Sequence, residues 1–252
     1  MIATDGELPI GGGAAKRTYV RDIFTAIAPR YDLLNHVLSL NIDRRWRREA
    51  VTELGWERVP EGTYLDLCAG TLDLAATLGN QPGFRGRVIG ADFVHPMLVL
   101  GKGKSAAVTP VTADALDLPF PDRYFDGATV GFGVRNLMDL DRGLREAARI
   151  LKPNARLVIL EFTTPTRQPH KGLYFFYFRR VLPFIGRLVS KHRDAYTYLP
   201  ESVLAFPTPA ELQERMERAG FAKVRFRLLL GGICAIHVGE RQGSEPFAER
   251  KV

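Results

Sequence analysis

The sequence predicts an α/β fold: a mostly parallel sheet, covered by helices on both faces and closed by an antiparallel pair. Three observations carry this. From Thr63 onward, short apolar runs alternate with helical stretches, the pattern of strands buried on both sides. Gly- and Pro-bearing loops separate them. The last two apolar runs, KVRFRLLL and ICAIHVG, are joined by Gly231-Gly232 and read as a hairpin.

The elements follow in order. Residues 1–16 are Gly-rich, lack periodicity and read as a flexible tail. Residues 17–56 are helical and form a lid. Within it Val20, Ile23, Phe24 and Ile27 share one helix face until Pro29 ends the run. A second short helix is expected over 31–39 and a third over 44–54, where four arginines surround Trp46. Strands are expected at 63–68, 87–92, 108–113, 124–132 and 156–162, with helices near 72–79, 95–104 and 139–151. Residues 173–205 read as a helical insertion on the substrate side, and its stretch 173–190 is aromatic, basic and broken by Pro183. Thr208-Pro209-x-Glu211 signals the start of an amphipathic helix that runs to Ala219. A polar tail, 241–252, follows the hairpin, so residues 17–240 read as a single domain.

Composition narrows the function classes. Thirty-five Lys and Arg against 28 Asp and Glu give a net charge of +7. Such an excess favours anionic partners or is a solvated basic surface. No zinc-finger spacing, RNP-like motif or long basic block points to nucleic acid. Two cysteines, Cys68 and Cys234, exclude a disulfide framework and a four-thiolate zinc site. His36, His170, His192 and His237 show no metal spacing, and His95 reads as a helix start. No uncharged apolar run reaches about 18 residues, and no basic segment leads into an apolar stretch at the N-terminus. The expected compartment is the cytoplasm.

A parallel sheet closed by a hairpin separates two nucleotide-binding layouts. Dinucleotide dehydrogenases normally continue with parallel units. Class I S-adenosylmethionine (SAM) methyltransferases end in such a hairpin, with strand order 3-2-1-4-5-7-6. The turn after the first strand agrees with the second layout. Gly70 allows a ligand to approach the backbone, but Leu72 breaks the G-x-G-x-x-G dinucleotide fingerprint. Asp92 ends the next strand, where a carboxylate can accept both ribose hydroxyls. Asp114 and the amide of Ala115 follow the third strand, placed to accept from an adenine amino group and donate to its ring. Asp66, inside the first strand, either fixes the following loop or accepts from the ligand's amino group. Each of these residues also has a plain structural alternative as a turn, cap or internal hydrogen bond.

Six blocks then carry a family resemblance: YDLLNHVLSLNIDRRW (31–46), DLCAGTLDLA (66–75), GFGVRNL (131–137), RILKPNARLVILEF (149–162), YTYLPESVLAFP (196–207) and GICAIHVG (232–239). Together the chain resembles the ubiquinone/menaquinone biosynthesis C-methyltransferase family. The resemblance implies a class I fold, SAM as cofactor, no metal, and methylation of a ring carbon in a polyprenyl quinol, such as demethylmenaquinol or a ubiquinol precursor. It also implies action near the inner face of the membrane. Three positions depart from the family pattern. Leu72 replaces the glycine of the GTGD turn, and its β-carbon opposes a positive φ. Asp43 replaces the histidine before the tryptophan. Asn154-Ala155 replaces Gly-Gly, a change to be tolerated because Asn also visits the left-handed region.

Methyl transfer to ring carbon needs the adjacent hydroxyl to lose its proton, and something to stabilise the oxyanion. Arg135 and Asn136, after the fourth strand, are candidates to stabilise the phenolate and to hold a quinol oxygen. Asp32 is a candidate base, directly or through water. Tyr31 is placed to close over the cofactor, with Asn35 on its helix face. Thr71 belongs to the cofactor turn, and Asp73 is a candidate for the SAM amino group. Glu161 either reaches substrate or holds Arg135. The aromatic-basic stretch 173–190 suits peripheral contact with a membrane or packing into the core. A homodimer is left open. Two other activities stay in view: methylation of another hydrophobic small molecule, and a non-catalytic quinone- or lipid-binding homologue, which Leu72 keeps alive.

Overall fold

The computed structural model describes residues 13–32, 39, 41–165, 172 and 193–243. The stretch 173–190, most of the helix expected over 31–39, and Asn35, His36, His170 and His192 lie outside the described residues.

Seven strands form one sheet in the order β3-β2-β1-β4-β5-β7-β6. They are β1 Thr63–Leu67, β2 Arg87–Asp92, β3 Val108–Thr112, β4 Phe125–Gly131, β5 Leu151–Phe162, β6 Phe221–Leu229 and β7 Cys234–Arg241. The first five pair in parallel, and β7 runs antiparallel to both β5 and β6. This is the order and closing hairpin the sequence predicts. The fifth strand starts earlier than expected because Leu151 already pairs with Phe125. The ladder then slips before Arg156, across a turn in which Asn154 takes φ 65°.

The α-helices among the described residues are α1 Gly13–Ile27, α2 Ile42–Leu54, α3 Asp73–Gly79, α4 His95–Gly101, α5 Leu140–Ile150, α6 Arg193–Leu204 and α7 Pro209–Arg218. Strand side chains alternate between two cores. Leu65 and Leu67 join Val130, Leu144, Ile159 and Met216 on one face. Tyr64 joins Trp46, Leu78, Val88 and Val158 on the other. Each buried leucine stabilises the fold by about 1.5–3 kcal/mol, which is why these runs read as continuous apolar strands. Helix α7 starts with the expected box: Thr208 Oγ1 accepts from the Glu211 amide at 3.3 Å, and Glu211 Oε2 accepts from the Thr208 amide at 2.8 Å.

The N-terminal boundary needs correction. Residues 13–16, expected within the tail 1–16, are helical, and Lys16 is buried. Tertiary contact decides this: Val20 is 1% exposed, and the Lys16 ammonium bonds distant backbone. A helix of this length gains its stability from packing more than from local propensity, so a glycine-rich start does not reveal it.

His237 of β7 sits under α7, where Nε2 donates to Pro209 O at 2.9 Å and the ring lies 5.3 Å from Phe226. Its Nδ1 has no hydrogen-bond partner, and burial lowers its pKa from 6.5 to about 4. The neutral ring is therefore favoured in the folded state. Its contribution is present above the unfolded pKa of about 6.5 and is lost as pH falls towards about 4. Chemical denaturation should show the wild type losing up to about 3 kcal/mol more than His237→Gln across that window. Parallel pH–stability curves would contradict this.

Candidate active site

A cavity of about 650 Å3, mouth included, opens at the carboxyl ends of β1, β2 and β4. In an open parallel sheet, ligands bind in this crevice, where connections leave for opposite faces. Its rim holds Gly70, Asp92, Asp114 and Ala115; its floor holds Cys68, Gly131, Phe132 and Asn136; α1 and the segment after it cover it with Arg17, Phe24 and Tyr31.

The turn after β1 is built for close backbone approach. Gly70 has φ 52°, and a Cβ there would point at Met97 Cε and Tyr31 Cε1, at 3.6 and 3.9 Å. Asp92 fixes this turn. Its Oδ2 accepts from the Gly70 amide at 2.8 Å and its Oδ1 from the Val94 amide at 2.8 Å. Burial pushes its pKa up, and these amides pull against the rise. The carboxylate's acceptor capacity is about four lone-pair sites, so these amides leave room for a ligand hydroxyl.

Leu72 departs from expectation. It adopts φ 65°, ψ 19°, the conformation its β-carbon was expected to oppose. The left-handed region costs about 1–2 kcal/mol for such a residue. Burial offsets this, because the side chain is 1% exposed. It fills a hole between two glycines: a Cβ on Gly90 would lie 2.3 Å from Leu72 Cδ2, and one on Gly101 would lie 2.8 Å from Leu72 Cγ. The turn therefore keeps its shape without the glycine.

The remaining acids divide by position. Asp114 lines the cavity, accepts from the Leu116 amide at 3.0 Å and pairs with Arg17 at 2.9 Å. Asp66 is fully buried behind the cavity. It accepts from the Ala75 amide and from Thr129 Oγ1, both at 2.9 Å, and burial raises its pKa to about 7. Of its two expected roles, this geometry is that of a brace on α3. Asp73 and Asp32 share one cation, each 2.6 Å from Lys104 Nζ, and Arg47 lies 3.5 Å from Asp73 on its other side. Thr71 Oγ1 donates to Asp32, so the residues after α1 are fastened to the turn after β1. Asp43 pairs with Arg47 and extends this chain into α2.

Arg135 and Asn136 separate. Asn136 lines the cavity and its Oδ1 accepts from Tyr198 Oη at 3.1 Å. Arg135 is buried and turned to Glu161, 2.9 Å away, while its own amide donates to Glu161 Oε2 at 3.3 Å. The guanidinium also bonds the Phe132 carbonyl and lies 5.7 Å over the Phe162 ring. Burial raises the Glu161 pKa, against the pull of Arg135. Of its two expected roles, Glu161 takes that of holding Arg135.

The structure thus brings Gly70, Asp92, Asp114, Ala115, Tyr31 and Asn136 to one cavity. Asp66, Thr71, Asp73, Asp32 and Arg135 are not among its lining residues. Arg17, Lys104 and Tyr198 are the participants that sequence reasoning missed. Their partners lie far away in the chain, and no local spacing marks them. Among the described residues no His, Cys, Asp or Glu cluster could hold a metal ion.

A sheet in this order, with a glycine turn after the first strand and an acid ending the second, defines a class I SAM methyltransferase fold. A model of the ubiE/COQ5 methyltransferase family matches residues 13–241, and the chain belongs to that family. It is 50% identical over 224 residues to the demethylmenaquinone methyltransferase of Thermus thermophilus, covering 87% of this chain and all of that one. It is 44% identical over 245 residues to that of Deinococcus radiodurans, covering 96% of this chain and all of that one. Among solved structures, the [4+2]-cyclase SpnF shares 16% identity at a TM-score of 0.63, over 88% of this chain and 96% of that one. A cyclase on this fold means that fold alone does not fix the reaction.

The Arg135–Glu161 pair carries a stability prediction. Glu161→Gln leaves a buried guanidinium without its carboxylate and should cost about 3–5 kcal/mol in urea denaturation. An unchanged midpoint and slope would show that the pair is not the anchor of this turn.

Proposed function

We propose that this protein transfers a methyl group from SAM to a ring carbon of a polyprenyl quinol, demethylmenaquinol or a ubiquinol precursor. The observation that carries this is the mixed lining of one cavity. Gly70, Asp92 and Asp114 supply a polar rim suited to an adenosyl group, and the apolar side chains of Phe24, Phe132, Leu137 and Met138 line the same cavity and suit a ring. The relatives named above support the choice of acceptor.

When bound, SAM supplies an electrophilic methyl on a sulfonium. Asp92 accepts the ribose hydroxyls, and Asp114 with the Ala115 amide receives the adenine edge. Gly70 leaves room for the cofactor backbone, with Thr71 and Asp73 flanking its methionine end. Tyr31 closes the cover, held edge-on to Phe24 at 5.8 Å. Asn136, oriented by Tyr198, holds a quinol oxygen at the cavity floor. Arg135 acts through Glu161 as a positioning residue for the turn that carries Asn136, in place of direct contact with the oxyanion. Asp32, held by Thr71 and Lys104, fastens the cover in place of acting as base. Proximity then does the chemistry, because a ring carbon held about 3–3.5 Å from the methyl group reacts without a separate encounter.

The reading extends to location. No helix among the described residues is long and apolar enough to cross a membrane. A charge of +7 and the aromatic-basic stretch 173–190 support peripheral attachment to an anionic lipid surface, where a prenylated acceptor resides. Liposome flotation should show binding to anionic vesicles at low salt and release at high salt; no binding at low salt removes this part.

Calorimetry tests the cofactor rim. Asp92→Ala should weaken SAM by about 1.5–3 kcal/mol through lost charge-assisted bonds. Unchanged affinity would remove Asp92 from the site. Mass spectrometry of quinones from cells lacking the protein should show a precursor lighter by one methyl, and an unaltered quinone pool would overturn the acceptor assignment.

A further inference from the structure

Lys16 is a buried lysine on α1, 7% exposed. Its ammonium donates to the carbonyls of Arg135 at 3.1 Å and Leu137 at 3.0 Å, the two residues that flank Asn136. The next residue, Arg17, reaches the opposite wall and pairs with Asp114. Adjacent positions of one helix therefore bond the loop after β4 and the loop after β3, and α1 straddles the cavity between them.

The charge balance beneath Asn136 is uneven. Lys16 and Arg135 contribute two positive charges, and Glu161 contributes at most one negative charge. Among the described residues the phenols near these charges are Tyr198 from α6, whose pKa burial raises to about 12, Tyr19 of α1, packed on Tyr198, and Tyr31 after α1, which lines the cavity. Asp92 and Asp114 stand across the cavity and are engaged, by the Gly70 and Val94 amides and by Arg17 respectively. Among the described residues an internal carboxylate thus balances Arg135, whereas Lys16 is held by neutral carbonyls. Burying an ammonium this way is costly, and burial, with Arg135 adding to it, lowers its pKa.

We propose that Lys16 is a positioning residue of the methyl-transfer site: it seats α1 on the Arg135–Leu137 turn and adds beside Asn136 a positive charge that no carboxylate among the described residues pairs, and an ionised ring hydroxyl of the acceptor balances it. This rests on the methyl-transfer reading given above. The proton leaves the acceptor hydroxyl for solvent, the ring carbon bonds the methyl carbon, and the carbon–sulfur bond breaks with its electron pair on sulfur; the hydrogen on that ring carbon then leaves to solvent as a proton, and its bonding pair restores the aromatic ring. Lys16 acts on the first step by favouring the oxyanion, and it takes no proton itself.

The test compares wild type, Lys16→Met and Lys16→Arg, each with SAM and demethylmenaquinol, over a range of pH. Lys16→Met should lower kcat by about tenfold near neutral pH and move the rising limb of the kcat–pH profile up by about one unit, as loss of one nearby positive charge implies. Lys16→Arg keeps the charge and should return the limb towards the wild-type position. A Lys16→Met profile that coincides with wild type overturns the proposal. So does a lower kcat with an unshifted limb, or an equal loss in both variants, since either shows a packing role alone. Should the wild type itself leave demethylmenaquinol unmethylated, the acceptor assignment fails by itself. Hydrogen exchange then decides the seating of α1: Lys16→Met must speed exchange across Gly13–Ile27 and at the Asn136 amide, and unchanged protection there overturns it.

Discussion

The site depends on one carboxylate. Asp92 ends β2 and accepts from Gly70, in the turn after β1, and from Val94, ahead of α4. With both oxygens engaged by backbone amides it locks two neighbouring strand ends into a single rim. Gly70 then stays in its left-handed conformation, and the crevice between the loops stays open. A buried carboxylate is tolerated because backbone amides meet it, and its remaining lone pairs point at whatever enters. The same group thus builds the rim and equips it.

Around that rim, ion pairs fasten segments distant in the chain, one of them, Arg135–Glu161, buried and the others part-exposed. Lys104 joins Asp32 to Asp73, Arg135 joins Glu161, and Arg17 joins Asp114. Removing one partner of the buried Arg135–Glu161 pair costs more than the pair contributes, because the other charge is stranded. The arrangement specifies where the N-terminal segment rests. It also explains why the cover closes over one particular side of the sheet.

Much of the fold was legible in the sequence, because the strands are buried on both faces and read as continuous apolar runs. The Gly231-Gly232 connection and the Thr208–Glu211 box announced the hairpin and the last helix by local chemistry alone. The start of α1 was not legible, since its stability comes from Val20 and Lys16 packing far from home. Leu72 was misread for a related reason. The sequence shows a side chain that disfavours a positive φ, but not the hole between Gly90 and Gly101 that rewards it. At the site, Gly70, Asp92 and Asp114 meet at one cavity because topology brings strand ends together. Which of the strand-end residues face the cavity was not legible. Asp66 is claimed by Ala75 and Thr129 and Arg135 by Glu161, partners that no local spacing marks.

The central claim is that this rim holds an adenosyl group beside the apolar side chains that line the same cavity. A crystal structure with S-adenosylhomocysteine tests it most directly. The account predicts ribose hydroxyls on Asp92 and the adenine edge on Asp114 and Ala115, with the sulfur facing Phe132 and Asn136. A ligand bound elsewhere, or a cavity closed by its own side chains at saturating ligand, would contradict it.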